Sequence, residues 1–232
     1  MTDDQFGRRA LIRGAGLAAA GVLAGGGAAY ADSAAAPYGK PPRTPRAALA
    51  ALVEGNRRWV SGKVRHPHQD PQRRREVATK QEPFAVVVDC IDSRVGPELI
   101  FDAGLGDLMV VRTAAQTLDP LVTGAVEYGP AELDVPLIVV LGHQRCGAVT
   151  AAAEALHQGK RLPGNLQRIV EALRPAYTRS HGNVEQMIRV HAKDTAARLA
   201  ADPLLAPRVA KGRLKVVAGY YALDTGKVSL FT

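Results

Sequence analysis

Phe84-Ala85-Val86-Val87-Val88, with Cys90 two residues beyond, is a short apolar run ending in three consecutive valines. Its length and β-branching fit a strand buried on both faces, since an amphipathic helix needs ten or more residues. Two similar runs follow, Leu108-Met109-Val110-Val111 and Leu137-Ile138-Val139-Val140-Leu141. Between them Val122, Ala125, Val126 and Leu133 recur at helical spacing, and Ala148 to Leu156 is rich in helix formers. Short apolar runs alternating with helical segments mark parallel strands joined by crossovers. Residues 165–201 read as helical, with breaks at Pro175 and Gly182. Leu214 to Ala222 and Val228 to Phe231, separated by Asp224-Thr225-Gly226-Lys227, read as a terminal strand pair. The expected fold class is α/β: a mainly parallel central sheet flanked by helices, with that strand pair at its edge.

Upstream of the first strand, Thr44 before Pro45 has the form of an N-cap with proline in the first turn, and Leu49, Leu52, Val53 and Trp59 follow at helical spacing. Residues 46–232 form the expected domain, with the polar stretch from His66 to Gln81 on its surface. Residues 32–45, rich in Pro and Ala, read as a tether. The first 31 residues read as a targeting segment. Gly7-Arg8-Arg9-Ala10-Leu11-Ile12-Arg13 resembles a twin-arginine export signal, and an uncharged run from Gly14 ends in Ala29-Tyr30-Ala31, with small residues where a signal peptidase cuts. The run is about long enough to span a bilayer, but its six glycines make a poor apolar helix. The expectation is cleavage near Ala31, a location outside the cytoplasm, and no lasting membrane insertion.

The 232-residue length suits one well-packed domain. The formal charge is +8, but the basic residues are scattered. The densest stretch, Arg57 to Arg75, has only Trp59 as a stacking platform, so nucleic acid is not an expected partner.

Cys90 and Cys146 are the only cysteines. Two cysteines in an exported protein suggest a disulfide, but their placement offers another reading. In open parallel sheets, chemistry gathers at the carboxyl ends of the strands. Cys90 ends the first strand, and His143 and Cys146 follow the third. If those strands are neighbours, their tips lie about 4.8 Å apart. A tetrahedral zinc asks its ligand atoms to be roughly 3.5–4 Å apart. The His-x-x-Cys spacing lets one turn present two ligands to one ion.

Cys90-Ile91-Asp92-Ser93-Arg94 resembles the Cys-x-Asp-Ser-Arg signature of β-class carbonic anhydrases, and His143-Gln144-Arg145-Cys146-Gly147 resembles their His-x-x-Cys-Gly signature. The likeness runs from Ala47 to Phe231 and takes in Glu54 to Gly62 and Thr225 to Val228. It implies one zinc ion per subunit, held by Cys90, His143 and Cys146, with the fourth position open for the solvent that attacks CO2. It further implies that Arg94 pairs with Asp92, keeping that carboxylate from becoming a fourth ligand in a closed state. Gln81 matches a substrate-binding amide, Met109 and Ala114 match a hydrophobic floor, and Tyr128 matches an aromatic supplied by a partner subunit. A homodimer or higher even assembly is therefore expected.

Two departures stand out. Val87 occupies the place of a Trp used by a subgroup of the family to bind bicarbonate away from the metal, so an open, arginine-supported site is expected. Arg112-Thr113-Ala114-Ala115-Gln116 stands where a Gly-Asn pair is frequent. His66, His68, His157, His181 and His191 are candidate proton carriers, and the sequence selects none. Hydrolysis of CS2 or COS on the same zinc, a non-catalytic zinc-binding module, and a metal-free disulfide form are the competing readings.

Overall fold

The computed structural model describes residues 40–231. The expected export signal and residues 32–39 of the tether lie outside that range.

Helix α1 (Pro45–Val60) opens with the Thr44 hydroxyl accepting from the Ala47 N–H, as its sequence predicts. A short helix α2 (Pro71–Glu76), capped by the Asp70 side chain, lies within the polar stretch expected on the surface. Strand β1 (Ala85–Cys90) leads through α3 (Pro97–Ile100) to β2 (Leu108–Thr113) and a single 3-10 turn, Ala114–Gln116. Helix α4 (Pro120–Leu133), strand β3 (Leu137–His143) and α5 (Gly147–Gln158) follow. Then come α6 (Leu166–Arg179), α7 (Val184–Ala200), the short α8 (Ala206–Ala210), β4 (Lys215–Tyr221) and β5 (Val228–Phe231).

The five strands form one sheet in the order β2-β1-β3-β4-β5, parallel except for the antiparallel β5. From β1 the chain passes to β2 on one side, then returns across β1 to β3 on the other. The sheet therefore reverses its winding beside β1 and β3, and a crevice opens there at the carboxyl ends of the strands. This topology positions the site.

Alternation along the strands feeds two apolar layers. Ala85, Val87, Leu137, Val139 and Leu141 pack on one face with α1, α5 and α6. Val86, Val88, Ile138 and Val140 pack on the other with Val126 of α4 and Ala192, Ala196 and Leu199 of α7. Burial on both faces explains why the strands read as continuous apolar runs.

Pro175 does not end a helix, contrary to the sequence expectation. It lies within α6 on the exposed side, where the carbonyl it leaves unpaired can take water. The break comes at Ser180–Asn183, where Gly182 adopts φ 77°.

Helix α1 is tied across the sheet edge. Asn56 Nδ2 donates to the carbonyls of Ile100 (3.1 Å) and Gly226 (2.8 Å), and Asn56 Oδ1 accepts from the Val228 N–H (2.9 Å). Gly55 lets the helix backbone approach Phe101, since a Cβ there would lie 1.8 Å from its carbonyl oxygen. Glu54-Gly55-Asn56 and Thr225 to Val228, far apart in sequence, are thus two halves of one junction. No helix among the described residues is long and apolar enough to cross a membrane.

Candidate metal centre

Register places the three predicted ligands together. Asp89 of β1 lies opposite Leu141 of β3, so Cys90 comes level with Gly142 and His143 stands one residue further. Gly142 admits α7 at this point, where a Cβ would meet Ile188 Cγ2 at 2.9 Å. The turn after His143 brings Cys146 back to the same spot. His143 is therefore the last residue of β3, not a loop residue beyond it.

The ligand atoms of Cys90, His143 and Cys146 all lie within 4.8 Å of one another, and all three residues are buried. The two sulfurs are 3.8 Å apart and unbonded. A disulfide would require about 2.05 Å, whereas two sulfurs about 2.3 Å from one ion in tetrahedral geometry are about 3.8 Å apart. His143 Nδ1 lies 3.0 Å from the Gln144 carbonyl. With a proton on Nδ1 donated to that carbonyl, the lone pair on Nε2 faces the sulfurs. Nε2 is buried and has no hydrogen-bond partner, which is costly unless something coordinates it. Two buried sulfurs and one buried imidazole fit zinc.

The electrostatics agree. The hydrogen bond from the Cys146 thiol draws the Cys90 thiol well below the usual thiol range, helped by the Ala115 N–H, which donates to Cys90 Sγ (3.4 Å). Cys146 is pushed up, because a second thiolate cannot form against the first without a cation between them.

Asp92 sits beside this cluster, its Oδ2 4.0 Å from His143 Nε2. Arg94 holds both carboxylate oxygens, Nε donating to Oδ1 (2.8 Å) and a terminal NH2 to Oδ2 (2.7 Å). This pairing pulls the Asp92 carboxyl down to about 2. The carboxylate thus borders the position that a fourth ligand would take and is turned toward its arginine.

Of the predicted pocket residues, the chain brings only Ala114 to the cluster, through the turn that follows β2. Met109 pairs with Val86, whereas Thr113 pairs with Cys90. Met109 is thus four residues, about 13 Å, down the strand from the ligands. It cannot floor the pocket of its own chain. Gln81 is exposed and precedes β1, at the end remote from Cys90. Tyr128 is 48% exposed on α4. Among the candidate proton carriers, His191 is buried and drawn down to about 4 by that burial, while His68 Nδ1 is tied to Asp107.

Sequence reading missed several neighbours. Arg112 donates through Nε to the Cys90 carbonyl (2.8 Å) and through NH2 to the Asp92 carbonyl (2.6 Å), fixing the loop between them. Asp89, fully buried, accepts from the Cys90 N–H, and burial raises its carboxyl to about 8. Ala115 and Gln116 adopt φ 55° and 47°, the left-handed conformation that glycine and asparagine favour. The departure from Gly-Asn therefore carries a steric cost of about 1–2 kcal/mol per residue.

A parallel sheet whose crossover crevice gathers two cysteines and a histidine at metal-binding spacing defines an α/β protein with a site that could hold a metal ion. The carbonic anhydrase family profile matches residues 85–228. Carbonic anhydrase 2 of Mycobacterium tuberculosis is 43% identical over 195 residues, covering 82% of this chain and 94% of that protein. The carbonic anhydrase of Mycolicibacterium smegmatis is 42% identical, over 82% of this chain and 95% of its own. Among solved structures, one of two tetrameric β-carbonic anhydrases from Sordaria macrospora superposes with a TM-score of 0.64 at 22% identity, over 79% of this chain and 96% of that one. The chain belongs to the β-class carbonic anhydrase family.

Proposed function

We propose that the protein binds one Zn2+ through Cys90, His143 and Cys146 and catalyses CO2 + H2O ⇌ HCO3− + H+. The observation that carries this reading is the 3.8 Å separation of two unbonded sulfurs beside an unpartnered imidazole nitrogen. Bound there, zinc would supply a Lewis acid that lowers the pKa of coordinated water from 15.7 toward about 7.

The chain's own residues do the rest. Asp92, beside the cluster, would accept a hydrogen bond from the attacking water and orient it toward CO2. Arg94 occupies the outer side of that carboxylate and keeps it from taking the position itself. The Ala115 N–H stabilises the Cys90 thiolate, and the Gln144 carbonyl fixes the His143 tautomer. Arg112, locked to two backbone carbonyls, holds the Cys90–Asp92 loop in register with them.

The protein acts as a homodimer or a higher even assembly, in which Gln81, Met109 and Tyr128 serve a neighbouring chain's pocket. Leu121 and Tyr128, seven residues apart on one side of α4, are 86% and 48% exposed, which supports burial of that face against a second copy. The tetrameric state of the Sordaria proteins supports an assembly of this kind. The amino-terminal segment directs export by the twin-arginine route. Zinc loading before export suits that route, because it carries folded proteins.

The test is Asp92→Asn in the zinc-loaded enzyme. Zinc content should stay at wild type while CO2 hydration falls by about 100-fold or more, in the range of general acid–base roles. Unchanged turnover would refute the role given to Asp92. Parallel assays with CS2 and COS would show whether CO2 is the preferred substrate.

A further inference from the structure

The ligand-bearing turn is held in an unfavourable backbone conformation. Arg145, between His143 and Cys146, has φ 53°, in the left-handed region that costs a side-chain-bearing residue about 1–2 kcal/mol. Its exposed side chain pairs with Asp224 in the β4–β5 turn (2.5 and 3.2 Å). A pair so open to water contributes little. Its backbone has a less exposed partner. The Arg145 N–H donates to Glu185 Oε1 (3.3 Å), at the start of α7, and the Tyr220 hydroxyl donates to Glu185 Oε2 (2.5 Å). Arg189 lies over the Tyr220 ring, 3.7 Å from its centre. On the other side of the Arg145 Cα, in the next peptide, the Arg145 carbonyl accepts from Arg94 NH2 (3.3 Å), the nitrogen that also holds Asp92 Oδ2.

A continuous series of contacts thus runs from Tyr220 through Glu185, the Arg145 backbone and Arg94 to Asp92. We infer that Glu185 is a positioning residue that keeps the fourth metal position open: by holding the Arg145 N–H it fixes that residue's left-handed backbone, which aims the Arg145 carbonyl at Arg94, which holds Asp92 away from the ion. With the Glu185 carboxylate removed, the Arg145 backbone is free to leave its left-handed conformation. Arg94 then loses one of its anchors, and Asp92 competes for the metal. The inference rests on the metal site proposed above.

The test uses the full protein with Co2+ in place of zinc, titrated with azide and followed by visible absorption. Binding of azide requires the fourth position to be free. Glu185→Ala should weaken azide binding by about 10-fold, the lower end of effects from groups that support metal ligands. Adding Asp92→Asn to Glu185→Ala should restore the affinity to near that of Asp92→Asn alone, because the competing carboxylate is gone. Tyr220→Phe, which deletes one hydroxyl and leaves the ring in place, should weaken azide in the same direction by a smaller factor.

Unaltered azide affinity in Glu185→Ala would overturn the inference, as would a loss that Asp92→Asn fails to rescue, since that pattern means general deformation of the turn. If Glu185→Ala does not fold, Tyr220→Phe alone decides, and wild-type affinity in that variant overturns the inference. Failure of the wild-type protein to bind Co2+ would instead refute the metal site itself.

Discussion

His191 gives the fold a built-in pH dependence. It projects from α7 with 8% of its surface exposed, and its Nε2 has no partner. Burial draws its pKa from 6.5 down to about 4. Between those values the unfolded chain binds a proton that the folded chain refuses. The stabilising contribution is therefore complete above 6.5 and is lost as the pH falls through 4. A gap of about 2.5 pH units at 1.36 kcal/mol each amounts to about 3 kcal/mol. His191→Gln removes this titration. Urea unfolding of wild type and variant, measured at intervals from about pH 7 to about pH 4, should show the variant gaining about 3 kcal/mol relative to wild type over that range. Carboxylate titration and acid release of metal act on both proteins and cancel in the difference. Parallel stability curves would refute the reasoning.

Three further outcomes follow from the packing and the exposed surface. Gly55→Ala sets a methyl against the Phe101 carbonyl oxygen, and α1 must lift from the junction that Asn56 holds. The expected loss is about 3 kcal/mol, the upper range for overpacking, read as a lower urea midpoint. Leu121→Glu on the exposed face of α4 should shift the protein toward monomer in sedimentation at equal concentration, and an unchanged assembly would place the interface elsewhere. Removing metal with a chelator should lower the melting temperature, because a ligand that binds only the folded state stabilises it by mass action; an unmoved transition would mean that no metal was bound.

Much of this architecture can be read from the apolar runs, and their limits are instructive. β1, β2 and β3 each extend two residues past the run that announces them, through Asp89-Cys90, Arg112-Thr113 and Gly142-His143. Those ends look unlike strand because they are the chemical edge of the sheet, where local preference yields to function. Helix α2 carries a visible start signal, Asp70 before Pro71, but Arg74 and Arg75 face solvent and Arg73 turns inward to bond the Leu105 carbonyl, so the helix gives no apolar period. The ligands were legible because two short motifs hold them. The supports were not: Arg145 meets Glu185 across 40 residues and Asp224 across 79, and no local pattern encodes such meetings. Met109 illustrates the converse. It matches a hydrophobic floor by resemblance, but strand register carries it away from its own chain's metal site.

The most direct test is to determine metal content and free thiols together on the folded protein, purified without added zinc or reductant. The account predicts about one zinc per chain, with both cysteines alkylatable only after the metal is stripped. A folded, metal-free protein whose mass reveals Cys90 joined to Cys146 would contradict it.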